Sequence, residues 1–203
     1  MPRWYWLLLI IALVGAWHSF STRPLEQPPG ELAPADPSQQ RLAEPYEFEA
    51  RGHALTARAR ISMTARVLAS ERYRADTMAS LVPYDLALGW GLMSDSAVLE
   101  RVAVSQGNRF YYWRTEDDTL PLRELARHSA NVHLIAANSE VAQGISSARV
   151  GQVVSIDGLL VDVHQPGRGG MSTSLSRDDT GPGACEIVWA ESFVVRQKIE
   201  QSR

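Results

Sequence analysis

A single cysteine, Cys185, and five histidines bound the nucleophile and base chemistry open to this chain of 203 residues. A thiol nucleophile needs a base within hydrogen-bond reach and a partly exposed, electropositive setting. The candidate bases are His128 and His133, which lie in the polar run Arg127-His128-Ser129-Ala130-Asn131-Val132-His133. Their spacing is neither the i, i+4 pair that puts two ligands on one helix face nor part of a zinc signature. If a helix continues through the run, His128 and Asn131 share a face and His133 points elsewhere. His128 then also suits the capping of terminal carbonyls. Cys185 alternates in phase with Ile187 and Trp189 and has Glu186 beside it, a pattern that equally fits a buried, inert thiol. Asp117-Asp118 and Asp178-Asp179 lack the spaced oxygens of a calcium loop and read as turn acids. No metal site and no cofactor is expected. Gly-x-Ser-x-Gly, Walker-type and dinucleotide glycine motifs do not occur.

The second kind of chemistry is anion recognition. From Arg51 to Arg74 there are six arginines (51, 58, 60, 66, 72 and 74) and one acid, Glu71, in a chain whose net charge is -3. Within this segment Leu55 to Val67 alternates strictly: Leu55, Ala57, Ala59, Ile61, Met63, Ala65 and Val67 are apolar, and Arg58, Arg60 and Arg66 stand among the polar positions between them. Successive strand residues point to opposite faces, so a β-strand is expected with one face on a core and a row of guanidinium groups on the other. Such a row suits phosphate, sulfate or carboxylate groups. Self-pairing with the chain's own acids is the competing expectation. Aromatic residues add possible stacking platforms. Tyr111 and Trp113, in the run Asn108 to Arg114 with Arg109 at its start, can stack a ring if they lie alongside the arginines. Trp90, between Gly89 and Gly91, is either a platform or a plug in the core.

Three segments must position these residues. Residues 1–20 carry an uncharged apolar run from Trp4 to Trp17 with aromatics at both edges, which predicts an N-terminal transmembrane helix, retained as an anchor or cleaved after Ala16 as a signal. Residues 21–45 hold Pro24, Pro28, Pro29, Pro34, Pro37 and Pro45 and read as an extended linker. Residues 46–200 form the folded domain. It is expected to open with a short strand at Tyr46 to Glu49 and to turn at Gly52-His53 into the long alternating strand, which is long enough to need a bend or bulge. A helix from about Ser94 to Val104, the aromatic strand, and a second helix with Pro121 in its first turn come next. Strands at Gln152 to Asp157 and Leu159 to His164, with Gly158 as a bulge, then Met171 to Arg177 and Ala184 to Val195, complete the domain.

This predicts an α+β fold, a small bent antiparallel sheet or partial barrel with two short helices. The run Gly151-x-Val153-x-x-x-x-Gly158-x-Leu160-Val161 resembles the glycine-punctuated strands of OB-type and SH3-like barrels, over about a dozen residues. The functional expectation is a domain held on the inner (plasma) membrane by residues 4–20, with its C-terminal part outside the cytoplasm. It would bind or scaffold through the strand face and not be an enzyme. An envelope protein, an anionic polymer or a lipid headgroup would be the partner, and no nucleic acid is expected in that compartment. The alternative is an envelope hydrolase or transferase that uses Cys185 with a nearby histidine.

Overall fold

In the computed structural model, which describes residues 4–21, 23–165, 169–176 and 184–196, the alternating stretch lies inside a 20-residue strand. The chain runs through α1 (Trp4–Ser21), β1 (Ser38–Ala50), β2 (His53–Arg72), β3 (Tyr84–Gly89), a 3-10 turn (Gly91–Ser94), α2 (Ser96–Leu99), β4 (Ala103–Gly107) and β5 (Phe110–Arg114). It continues with α3 (Leu122–Arg127), β6 (Ser129–Ala136), α4 (Ser139–Ser147), β7 (Val153–Gln165), β8 (Gly169–Met171) and β9 (Glu186–Arg196). The fold is α+β, dominated by a seven-stranded sheet with a few short helices.

β2 organises that sheet. Its apolar positions from Leu55 to Val67 are all buried, as the alternation requires. They do not all face one core. Ala57 pairs with Val161 and Ala59 with Leu160, so Arg58 is an extra residue in the ladder with β7. The ladder with β1 breaks at the same place, between the Tyr46 and Arg41 pairings. A bulge shifts the alternation by one residue and bends the strand. Leu55 and Ala57 therefore join one apolar cluster with Val161, Val163 and Ile187, whereas Ala59 to Val67 join another with Val154, Leu160 and Val188.

The bend lets β2 take partners on both edges. Its C-terminal part, Arg66 to Arg72, pairs with β3, and Ala54 to Arg66 pair with β7. The order β2-β3-β6-β9-β7 then returns to β2, a ring of five strands in which only β6 and β9 run parallel. The larger cluster fills the ring, and α4 plugs it with buried Val141 and Ile145. The smaller cluster lies on the opposite face of β2, β6, β7 and β9, beneath Met78, Leu81 and Val82 of the β2–β3 connection. A third packs the β4–β5 hairpin and α2 onto the outer side of β3.

Several expectations change here. α1 is 18 residues, about 27 Å at 1.5 Å per residue, against a hydrocarbon core of about 30 Å. His18, Ser19 and Ser21 occupy its last turn. No helix among the described residues is long and apolar enough to cross a membrane, so the expected transmembrane helix is not supported. The segment 21–45, expected as a free linker, is stitched to the domain from Leu25 onward. Leu25 N donates to Val150 O at 2.8 Å, Gln27 Nε2 to Gly151 O at 2.9 Å, and buried Ala33 donates through its N to Ser94 Oγ at 3.1 Å. Gly151 has φ +90 and would place a Cβ 2.1 Å from Leu25 O, so only glycine permits this approach. Proline keeps the backbone extended, and an extended chain is also what can pair with a sheet edge, as β1 does from Ser38.

Two short helices were expected, and more are present. The first stops at Leu99, because the chain turns into β4. The second ends at Arg127, so the histidine run that follows is strand, not helix. α4 was not foreseen, although Asn138 caps it by accepting from Val141 N at 3.0 Å. Leu159 to His164 and the stretch before it form one strand, with the Gly158 irregularity as expected. Residues 166–168 and Asp178-Asp179 lie outside the described residues.

Candidate functional site

Three adjacent strands converge on one polar cluster. In the β3–β6 ladder Asp85 is the direct partner of His133. In the parallel β6–β9 ladder Val132 is opposite Glu186, which brings Cys185, the residue just before β9, beside the Asn131–His133 stretch. Leu86, Val132, Leu134 and Val188 point into the ring, so by alternation Asp85, Asn131, His133 and Cys185 share its outer face. That face is covered. Asp85 is fully buried, His133 and Asn131 are nearly so, and Cys185 is partly accessible.

His133 Nδ1 lies 2.8 Å from Asp85 Oδ1. The ring N–H is not aimed along that line, so the contact is an ion pair more than an aligned hydrogen bond, and Asp85 Oδ2 has no hydrogen-bond partner among the described residues. Burial pushes the imidazole's proton affinity down and is the largest single effect. The Asp85 carboxylate and the Cys185 thiol together outweigh it and raise the His133 pKa to about 9. Carboxylate, imidazole and thiol thus lie near enough to share charge, the groups from which an activated nucleophile is built. The hydrogen-bond contacts of the sulfur among the described residues are with Arg109 O and Asn131 Nδ2.

Arg109 closes the cluster from above. Gly107 pairs with Phe110, which leaves Asn108 and Arg109 as a two-residue hairpin loop, with φ of 53 and 68. Positive φ at both positions is what a type I′ turn demands, and arginine is an unusual residue to hold it. Its side chain supplies the compensation. Nη1 donates to Asp85 Oδ1 at 3.0 Å and Val82 O at 2.9 Å, Nη2 donates to both Asp76 oxygens at 2.8 Å, and the guanidinium sits 3.8 Å from the Tyr73 ring centre. The Arg109 side chain holds Asp76 below the usual carboxylate range, and burial pushes the Tyr73 phenol up to about 12. The backbone of Arg109 is fixed too: its N donates to Tyr73 Oη at 2.8 Å, and its O accepts from Asn131 Nδ2 at 2.9 Å and from Cys185 Sγ at 3.8 Å. Asn131 Nδ2 also approaches the sulfur, at 3.7 Å. A cavity of about 600 Å³ opens between this hairpin tip and the β2–β3 connection, lined by residues 72–78, Asn108, Arg109 and Met171.

The residues singled out by sequence separate into those that meet here and those that do not. His133, Cys185 and Arg109 meet. His128 caps α3 elsewhere: its Nδ1 accepts from Leu92 N at 3.3 Å and its O from Trp90 N at 2.9 Å. Trp90 is buried in the ring. Tyr111 hydrogen-bonds Ser129 through its hydroxyl, and burial raises its pKa to about 12. Trp113 packs beneath the hairpin. The arginine row divides. Arg58 pairs with Asp162 at 3.4 Å and Arg60 with Glu191 at 3.6 Å, both at the surface. Arg66 is buried and donates to Ser94 O at 3.1 Å and Ser96 Oγ at 2.7 Å, and burial pushes its guanidinium down. Asp85, Tyr73 and Asp76 were not singled out. One signal was available for Asp85, a lone acid inside the apolar run Pro83 to Gly89. Among the described residues no group of three or more His, Cys, Asp and Glu side chains is placed to hold a metal ion. No family model, no curated protein and no solved structure matches this chain.

Proposed function

We propose that the protein is a thiol-dependent hydrolase or transferase of the cell envelope, with Cys185 as nucleophile, His133 as its base and Asp85 as the group that orients and charges the base. The observation that carries this reading is the placement of carboxylate and imidazole on adjacent strands, with the thiol just before the next strand, beneath one hairpin tip. In the reaction the Sγ proton passes to His133 and sulfur bonds to the substrate's carbonyl carbon. The leaving group departs with a proton from His133, and water or an acceptor hydroxyl then cleaves the thioester. With a pKa raised to about 9, His133 is protonated at neutral pH and becomes free to take the thiol proton as pH rises towards 9.

The ring of strands is read as an OB-type barrel, the finer form of the sheet described above. We further propose that the domain lies outside the cytoplasm and is held at the surface of the inner membrane by α1, whose exposed Trp4, Trp6, Leu8, Leu9, Ile10 and Ile11 offer it an apolar face. Fractionation of the full chain against a variant lacking residues 4–21 tests this. Loss of membrane association in the variant is expected, and identical distributions would refute it.

Native alkylation tests the thiol. Iodoacetamide should modify Cys185 in the folded protein, and H133Q should slow the reaction about tenfold or more. Protection until denaturation would exclude the enzyme reading. A second reading, an envelope binding module without catalysis, is favoured by the exposure of Arg58 and Arg60 on the outside of the bulged strand. It predicts that charge reversal at those two residues removes an anionic partner from pull-downs while iodoacetamide leaves Cys185 untouched.

A further inference from the structure

The cavity beside the hairpin tip has an unbalanced charge. Arg72 and Arg74 line it together with Tyr73, Asp76, Arg109 and Met171. Asp76 is already committed to the guanidinium of Arg109, with both carboxylate oxygens at 2.8 Å from Nη2. Arg72 lies 5.5 Å from the Tyr84 ring centre and makes no ion pair, and Arg74 has none either among the described residues. Two guanidinium groups thus line a space of about 600 Å³ with no acid of their own, whereas Arg58 and Arg60 of β2 each pair with one. Guanidinium forks are matched to carboxylate and phosphate oxygens, and an aromatic and a methionine beside them suit an apolar body attached to the anion. The cavity is also one residue from the thiol. Arg109 lines it, and the Arg109 carbonyl takes the Cys185 S–H at 3.8 Å.

We infer that this cavity is the substrate subsite and binds the carboxylate or phosphate of an anionic acyl compound, with Arg72 and Arg74 as the specificity-determining grips. The inference rests on the thiol reading for its link to Cys185, and its binding half stands apart from it.

Calorimetric titration with citrate and with pyrophosphate tests the binding half, on the full chain and on C185A, which removes the thiol and leaves the cavity. Both proteins should bind at least one of the two anions, and which of them binds separates a carboxylate from a phosphate site. R72Q/R74Q should bind about tenfold more weakly or not at all, while R58Q/R60Q, the same charge change outside the cavity, should bind as the parent does. Absence of binding to the parent, or an equal loss in both double variants, would overturn the site. Alkylation tests the link. The ratio of iodoacetate to iodoacetamide rates at Cys185 should fall in R72Q/R74Q with the iodoacetamide rate unchanged. An unchanged ratio would detach the cavity from the thiol. A thiol inert to both reagents would defeat the thiol reading and leave the calorimetric result standing.

Discussion

Two sets of arginines lie within a few strands of each other, and their surroundings make them different groups. Arg58 and Arg60 stand on the outside of β2 with their own side chains exposed and pair at 3.4 and 3.6 Å with Asp162 and Glu191 across the sheet. Arg109 sits over a buried carboxylate and ties together a hairpin tip, two acids and the backbone of Val82. Exposed ion pairs trade one set of hydration shells for weak attraction and contribute about 0–1 kcal/mol. A buried pair has already lost its water, so removing one partner strands the other. The lesson is that a row of like residues in the sequence says little about where charge matters. A single buried acid decides that.

The largest effect is expected at Asp85. D85N leaves His133 and Arg109 without their shared carboxylate and should cost about 3–5 kcal/mol in urea unfolding. A loss under 1 kcal/mol would place Asp85 in the same class as the surface acids. The pH dependence comes next. His133 has a pKa of about 9 when folded against 6.5 as a model group, so its contribution is fully present below pH 6.5 and is lost as pH rises through 9. The loss over that window should be up to about 3 kcal/mol, and H133Q should flatten the curve. An equally steep fall in H133Q would assign the pH dependence to other groups. Arg66 sharpens the comparison, because it belongs to the row in sequence but is buried. R66A should cost about 2 kcal/mol, since Ser94 O and Ser96 Oγ lose their donor. The smallest effect is expected at the surface, where R58Q/R60Q should shift stability by less than about 1 kcal/mol in the same unfolding series.

Much of the fold was legible in the chain, and the misses share a cause. The alternation from Leu55 to Val67 predicted β2 and its buried positions, because strand periodicity is a local property. The length of that strand also signalled a bulge. The place of the bulge at Arg58 was not legible, since it is set by the ladders with β1 and β7, both remote in sequence. For the same reason the segment 21–45 read as a spacer: proline composition reports local stiffness, not the sheet edge waiting for it. His128 and His133 looked alike in the polar run. The end of α3 at Arg127 separated them, giving one a capping role and the other a place opposite Asp85. Cys185 and His133 are both candidates in the sequence, but the buried carboxylate beside the histidine, Asp85, lies some fifty positions before it. Only strand pairing could bring it there.

The coupling of His133 to the Cys185 thiol is the central claim, and the titration of the His133 imidazole followed by NMR in the native protein and in C185A tests it most directly. A midpoint near 9 is expected in the native protein and a lower one in C185A, because the thiol is one of the groups that raise it. A native midpoint near 6.5, or the same midpoint in both proteins, would contradict the coupling.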